Sequence, residues 1–254
     1  MAEGVTTKGE PAVRAENVWK VYGTGAAEVI ALRDVSVALA RGQLTAVMGP
    51  SGSGKSTLMH CLAGLDAVTS GETRVGDTRV SGLRDAELTR LRRERIGFIF
   101  QQFNLVPTLT ARENILLPLA IAGRKPEPDW FDTVVDTIGL RDRLGHRPAE
   151  LSGGQQQRVA CARALITRPE VVFADEPTGN LDSRSGTEVL GFLSRSVREF
   201  GRTIVMVTHD PAAAAYADRV VFLLDGTVVE DLPAPTTDAV LETMKRLDTR
   251  GAAR

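Results

Sequence analysis

The sequence predicts an α/β fold in which a core of parallel strands is interrupted by a helical insertion. Three observations carry that prediction. Residues 171–174 and 203–207 are short, continuous apolar runs, the pattern of parallel strands covered on both faces. Residues 44–48 form a third such run, and a glycine-rich segment joins it directly to an apolar helical stretch at 58–63. From about residue 104 to 158 the periodicity is mostly helical.

Each element follows in order. Residues 1–11 are polar and are expected to be a mobile tail. Residues 12–48 are strand-like, with glycine and charged breaks at 23–25 and 40–42, and strands continue through 71–80. Residues 85–95 have helical spacing and 96–100 form another apolar strand. The helical block contains segments 110–122 and 129–140 and a helix beginning near Ser152, punctuated by Pro126 and Pro128. The stretch "TTDAVLETMKRL" reads as an ordinary terminal helix. The main domain is placed at 12–228, with a helix-bearing C-terminal extension at 229–254. No internal repeat or low-complexity segment appears.

Composition narrows the function classes. At 254 residues, 43% hydrophobic and 25% charged, the chain has enough apolar material for a substantial core. Lys plus Arg total 31 against 32 for Asp plus Glu, so the basic excess of a nucleic-acid binder is missing and no nucleic-acid partner is expected. Cys61 and Cys161 fall in helical stretches without metal-ligand spacing and read as small buried apolar residues, as suits a reducing cytoplasm. The start lacks a basic-then-apolar signal pattern, and no apolar run approaches the roughly 18 residues of a membrane span. The chain is therefore not expected to cross a membrane alone. The arginines of segment 90–95 read as a solvated helix face.

The segment "MGPSGSGKST" carries the first chemistry. Gly49-x-x-x-x-Gly54-Lys55-Ser56 matches the phosphate-binding P-loop pattern, and it lies between a strand and a helix as that pattern requires. Small residues let successive N–H groups turn inward onto phosphate oxygens, and the positive helix end faces the same point. Lys55, expected to be exposed on the loop, reaches the β- and γ-phosphates, and the Ser56 hydroxyl can ligate Mg²⁺. Asp175 and Glu176 end the apolar strand 171–174. Asp175 suits the ordering of water around Mg²⁺, and Glu176 suits polarisation of an attacking water. In Leu151-Ser152-Gly153-Gly154-Gln155, Ser152 makes a helix N-cap and the glycines leave N–H groups exposed, which forms a second anion site. By themselves, Tyr22 reads as an edge-strand or core aromatic and His209 as a structural histidine.

Taken together, these motifs resemble a nucleotide-binding subunit of an ATP-binding cassette (ABC) transporter, with the match covering roughly residues 12 to 228. Gly49, Pro50, Ser51, Gly52, Ser53, Gly54, Lys55, Ser56 and Thr57 resemble the Walker A loop. Residues 171–176 resemble the Walker B strand, and 151–155 the family signature. The resemblance places Tyr22 under the adenine ring and makes Gln101, ahead of Gln102 in "QQFNL", the glutamine that touches Mg²⁺ and couples to the membrane partner. It makes Asn180, Leu181 and Asp182 the loop crossing a dimer interface, and His209 the switch histidine at the γ-phosphate. No motif position departs from the family pattern.

The resemblance implies a P-loop NTPase core with a parallel sheet, an N-terminal antiparallel β subdomain and a helical insertion. It implies an ATPase using ATP and Mg²⁺, with Ser56, Gln101 and Asp175 at the metal and Lys55, Gln101, Glu176 and His209 in catalysis. Two copies would face head to tail on binding ATP, each site completed by residues 151–155 of the other copy. The partner would be an integral membrane permease on a separate chain, holding this subunit at the cytoplasmic face of the cell membrane. "PTGNLDS", "FQQFNLVPTLTARENILLPL" and "ELSGGQQQRVACARAL" resemble the macrolide-export and lipoprotein-release subfamily, in which mechanotransmission or lipoprotein release is the alternative to small-molecule export. A soluble cassette ATPase of DNA repair or translation is the other alternative. Such proteins usually carry paired cassettes, coiled coils or zinc modules, none of which is seen here. Intact Lys55, Asp175, Glu176 and His209 argue against a binding module that has lost catalysis.

Overall fold

The structure, a computed structural model, describes residues 10–252. The expected mobile tail therefore lies outside the described residues except for Glu10 and Pro11. The chain starts with β1 (Val13–Tyr22) and β2 (Val29–Leu39), then β3 (Leu44–Met48) and α1 (Lys55–Leu62). β4 (Ser70–Val75) and β5 (Thr78–Arg79) follow, then α2 (Asp85–Arg95) and β6 (Ile96–Ile99). The helical insertion consists of α3 (Ala111–Ile121), α4 (Pro128–Ile138) and α5 (Gly153–Leu165). The core resumes with β7 (Val171–Asp175), α6 (Ser183–Phe200), β8 (Thr203–Val207) and α7 (Pro211–Ala214). It ends with β9 (Arg219–Leu224), β10 (Thr227–Pro233) and α8 (Thr237–Ala252).

These strands form two sheets. The smaller one, in the order β2-β1-β4-β5, is antiparallel throughout, as expected for the N-terminal subdomain. The larger has the order β10-β9-β3-β8-β7-β6, parallel from β9 to β6 with β10 antiparallel at the edge. Side-chain alternation divides each central strand between two cores. Val172, Ala174, Ile204 and Met206 face α3–α6, whereas Val171, Phe173, Val205 and Val207 face α1 and the small sheet. Burial on both faces is why these strands read as unbroken apolar runs. Phe173, Phe192 and Phe222 are fully buried, each contributing on the order of 1.5–3 kcal/mol through area removed from water.

Local signals set the helix boundaries. Thr110 and Glu113 form a reciprocal capping box at the start of α3, and Ser152 and Gln155 form another at α5. Pro128 does more than punctuate the helical block: it is the first residue of α4, where its fixed φ and missing N–H cost nothing. α6, the β9–β10 hairpin and α7 add to the elements expected from the sequence. The domain edge expected at residue 228 falls inside β10, which stays paired with β9 as far as Pro233 opposite Arg219. Sheet pairing therefore carries the core past 228, and the extension begins as a strand before becoming α8.

The arginine-rich end of α2 also departs from expectation. Arg90 does pair with Glu94 at the surface. Arg95, however, donates to Glu170 (2.5 Å) and Thr78 (2.5 Å), and Arg92 donates to the Gly64 carbonyl (2.6 Å). These two arginines tie α2 to both sheets and to the end of α1, because the packed elements present carbonyl and carboxylate acceptors within reach. Cys61 and Cys161 are buried as expected, and burial pushes both thiols up to about 12, which keeps them protonated.

Candidate active site

The C-terminal ends of β3, β7 and β8 lie side by side, the position where parallel α/β sheets build their sites. The loop after β3 closes on Gly54, which caps α1 with φ +98°. A Cβ there would lie 2.5 Å from the Ala31 carbonyl oxygen, so both backbone conformation and space require glycine. α1 has no side-chain N-cap and no acid in its first turn, which leaves its positive end open to an anion. Ser53 Oγ is buried in the same loop without a hydrogen-bond partner.

Lys55 is not an exposed loop residue. It is the first residue of α1, only 9% exposed, and its Nζ donates to the Gly49 (2.9 Å) and Pro50 (2.8 Å) carbonyls. A buried ammonium needs acceptors, and the curled loop supplies them. Burial lowers its pKa from the usual lysine value, with Glu176 and Asp175 opposing the shift. Ser56 Oγ donates to Asp175 Oδ1 at 3.3 Å. Burial raises the Asp175 carboxyl above the usual range, against the nearby His60 and Ser56.

Glu176 has a left-handed φ of +44°, an uncommon conformation for a side-chain-bearing residue, and its N–H is held by the Val207 carbonyl at 2.9 Å. Its Oε1 lies 3.0 Å from His209 Nδ1. Gln101, just beyond β6, donates from Nε2 to Asn180 Oδ1 (3.4 Å), and Asn180 Nδ2 donates back to the Gln101 carbonyl (3.0 Å). Asp182 caps α6, accepting from the N–H groups of Arg184 and Ser185. Tyr22, at the end of β1, is 41% exposed, donates its hydroxyl to Asp66 at 2.6 Å and has Lys20 Nζ 4.6 Å from its ring centroid.

The segment 151–155 stands apart. Ser152 Oγ accepts from the Gln155 N–H, and among the described residues no hydrogen bond joins this segment to residues 49–57. Gly154 lets the starts of α5 and α6 approach closely: a Cβ there would lie 2.5 Å from Ser185 Oγ. The structure thus brings the P-loop, Asp175, Glu176 and His209 into one site and links Gln101 to the Asn180 loop. It leaves the signature, which abuts Ser185 at the start of α6, without a hydrogen bond to the P-loop. Sequence reasoning missed Asn114, Gln157 and Arg163, buried or half-buried polar residues whose side chains hold loop carbonyls. Their signal was present, because a polar residue on the apolar stripe of a helix needs a partner.

This architecture is that of a P-loop ATPase cassette, and the chain belongs to the ABC transporter family, whose profile matches residues 32–179. It is 47% identical over 220 residues to the "Uncharacterized ABC transporter ATP-binding protein MJ1508" of Methanocaldococcus jannaschii, covering 86% of this chain and 98% of that protein. It is 44% identical over 221 residues to the "Macrolide export ATP-binding/permease protein MacB" of Neisseria meningitidis serogroup A. There it covers 86% of this chain but 34% of the relative, so it spans about a third of that protein. Among solved structures it resembles the dimeric, post-hydrolysis ATP-binding cassette MJ0796 bound to ADP and Pi, with a TM-score of 0.79 and 40% identity. That match covers 88% of this chain and 99% of the other.

Proposed function

We propose that this chain is the nucleotide-binding subunit of an export-type transporter, which hydrolyses ATP as a head-to-tail dimer and drives a separate membrane permease. The observation that carries this reading is the Glu176–His209 pair beside a P-loop whose own chain brings no signature residue to it. The residues present fit the ligands. The P-loop offers an uncapped helix end, the buried Ser53 hydroxyl and the Lys55 ammonium to phosphates. Ser56 and Asp175, bonded to each other, offer oxygen donors suited to Mg²⁺, a cation that takes few protein ligands beside substrate phosphates, and Gln101, whose amide pairs with Asn180, is proposed to join them when the ion is bound. When bound, Mg²⁺ supplies neutralisation of the phosphate charge. Glu176 takes the proton of the attacking water as its oxygen bonds to the γ-phosphorus, and ADP leaves with its β-phosphate oxygen. His209, whose Nδ1 holds Glu176, orients that carboxylate. Ser152, Gly154 and Gln155 of a second copy complete the phosphate contacts, so that ATP forms part of the interface and its loss lets the halves separate.

A permease needs a surface to grip, and the Gln101 segment borders one. A groove of about 480 Å³ between β6 and the helical insertion is lined by Leu65, Phe98, Phe100, Pro118 and Ile121, with Arg92, Arg93 and Arg163 also lining it. Ile121 is 67% exposed. No helix among the described residues is long and apolar enough to cross a membrane. The MacB relatives, whose names join the ATP-binding and permease parts, support this partner class. Affinity capture from solubilised membranes is expected to return a permease with few transmembrane helices, and an Ile121→Asp variant is expected to lose it. Recovery of ribosomal or DNA-repair proteins without an integral membrane protein would contradict the proposal.

Tyr22 is proposed to stack on adenine with its exposed face. Base–aromatic stacking amounts to about 1–3 kcal/mol, so Tyr22→Ala is expected to raise KM for ATP about tenfold with kcat nearly unchanged. Steady-state ATPase kinetics check this, and an unchanged KM rules the stacking role out.

A further inference from the structure

The buried stripe of α5 contains Gly154, Gln157 and Cys161, and Gln157 is completely buried. An amide in such a place is costly unless it is bonded. Gln157 Nε2 donates to two backbone carbonyls, that of Phe100 at 3.2 Å and that of Pro177 at 2.5 Å. Phe100 immediately precedes Gln101, and Pro177 immediately follows Glu176. Because both partners are acceptors, the amide nitrogen must face them, and Oε1 is left buried with no hydrogen-bond partner. The fold retains that orphaned acceptor, although an apolar side chain of the same length would fill the space without it.

From this geometry we infer that Gln157 is a positioning residue for ATP hydrolysis, fastening the signature helix to the Gln101 segment and to the backbone that aims Glu176. Four further hydrogen bonds, from two places, reinforce the fastening. Arg163, farther along α5, donates to the Phe103 (2.9 Å) and Asn104 (2.5 Å) carbonyls, holding the far end of the Gln101 segment to the same helix. The reciprocal Gln101–Asn180 bonds tie that segment to the loop following Glu176. Displacement of α5 at Ser152, or of the Gln101 segment by a partner, therefore reaches the Pro177 carbonyl through one side chain. Glu176 sits next to that carbonyl in its left-handed conformation, so a shift there re-aims the carboxylate. The curl of the P-loop is held by other contacts, namely the Gly54 cap and the Lys55 bonds, and Gln157 donates to neither of them; the loop meets this segment through the Ser56–Asp175 bond.

The inference rests on the proposed role of Glu176, and the test separates the two. Gln157→Met keeps the length and removes the donor, and Gln157→Asn keeps an amide one methylene too short to bridge both carbonyls. For each folded variant, melting temperature, affinity for a fluorescent ATP analogue, kcat and KM are measured beside wild type and Glu176→Gln. Expected are analogue affinity and KM within twofold of wild type and kcat at least tenfold lower, with no further loss when Gln157→Met is added to Glu176→Gln. If the methionine variant does not fold, the asparagine variant carries the same expectation. A kcat within twofold of wild type, or loss of ATP affinity in step with activity, overturns the inference and leaves Gln157 a packing residue. Near-normal turnover by Glu176→Gln defeats the role of Glu176 itself, whatever the Gln157 variants do.

Discussion

Glu176→Gln is expected to lower kcat by about 10²–10⁴-fold, the range for losing a positioned general base, while leaving ATP binding intact. The replacement keeps the shape of the side chain and a hydrogen bond to His209, which lies 3.0 Å away in the wild type, but removes the group that takes a proton from water. The left-handed backbone at Glu176 is held by the Val207 carbonyl and does not depend on the carboxylate, so the fold is expected to survive. With the chemical step blocked, a dimer is expected to accumulate in Mg-ATP and to return to monomer in ADP. Adding Ser152→Arg places a bulky cation at the positive start of α5 and is expected to abolish that dimer. Light scattering coupled to size-exclusion chromatography distinguishes these states. Near-normal hydrolysis by Glu176→Gln would eliminate it as the water-activating residue.

Lys55→Ala is expected to abolish measurable hydrolysis and to weaken ATP binding by at least about tenfold. A charged hydrogen bond contributes about 1.5–3 kcal/mol, and about 1.4 kcal/mol corresponds to a factor of ten in affinity. Stability is expected to change little, and the sign follows from the pKa. Burial lowers the Lys55 pKa in the folded state, so the fold disfavours the ammonium relative to the unfolded chain. Deleting the charge removes that penalty together with the bonds to Gly49 and Pro50. Calorimetry is expected to show a melting temperature within about 4 °C of wild type, the shift for about 1 kcal/mol in a chain of this size. A large fall in melting temperature would make Lys55 chiefly structural, and wild-type turnover would remove it from the site altogether.

Much of this was legible in residue order, because the chemistry is local in sequence. The P-loop, the acids ending β7 and the Ser152 cap each depend on residues within a few positions of one another, so type and spacing identify them. The continuous apolar runs likewise disclosed β3, β7 and β8, since burial on both faces leaves no polar alternation. Other features depend on partners far along the chain. Arg95 meets Glu170, and Gln157 meets the carbonyls of Phe100 and Pro177, pairings that exist only once the strands are stacked. β10 becomes part of the sheet by pairing with β9, past the edge placed at residue 228.

By itself, the sequence determined that this chain would hold a phosphate loop on a parallel-sheet core, with an acidic pair at a strand end and a capped glycine-rich helix start. Short-range backbone sterics, capping and side-chain alternation suffice for that. Only the tertiary structure decided that the Lys55 ammonium turns back onto its own loop, that Glu176 is held beside His209, and that one buried amide joins the signature helix to both neighbouring segments. Each of these is a desolvated polar group finding its acceptor, and the acceptor's position is set by packing between segments distant in sequence.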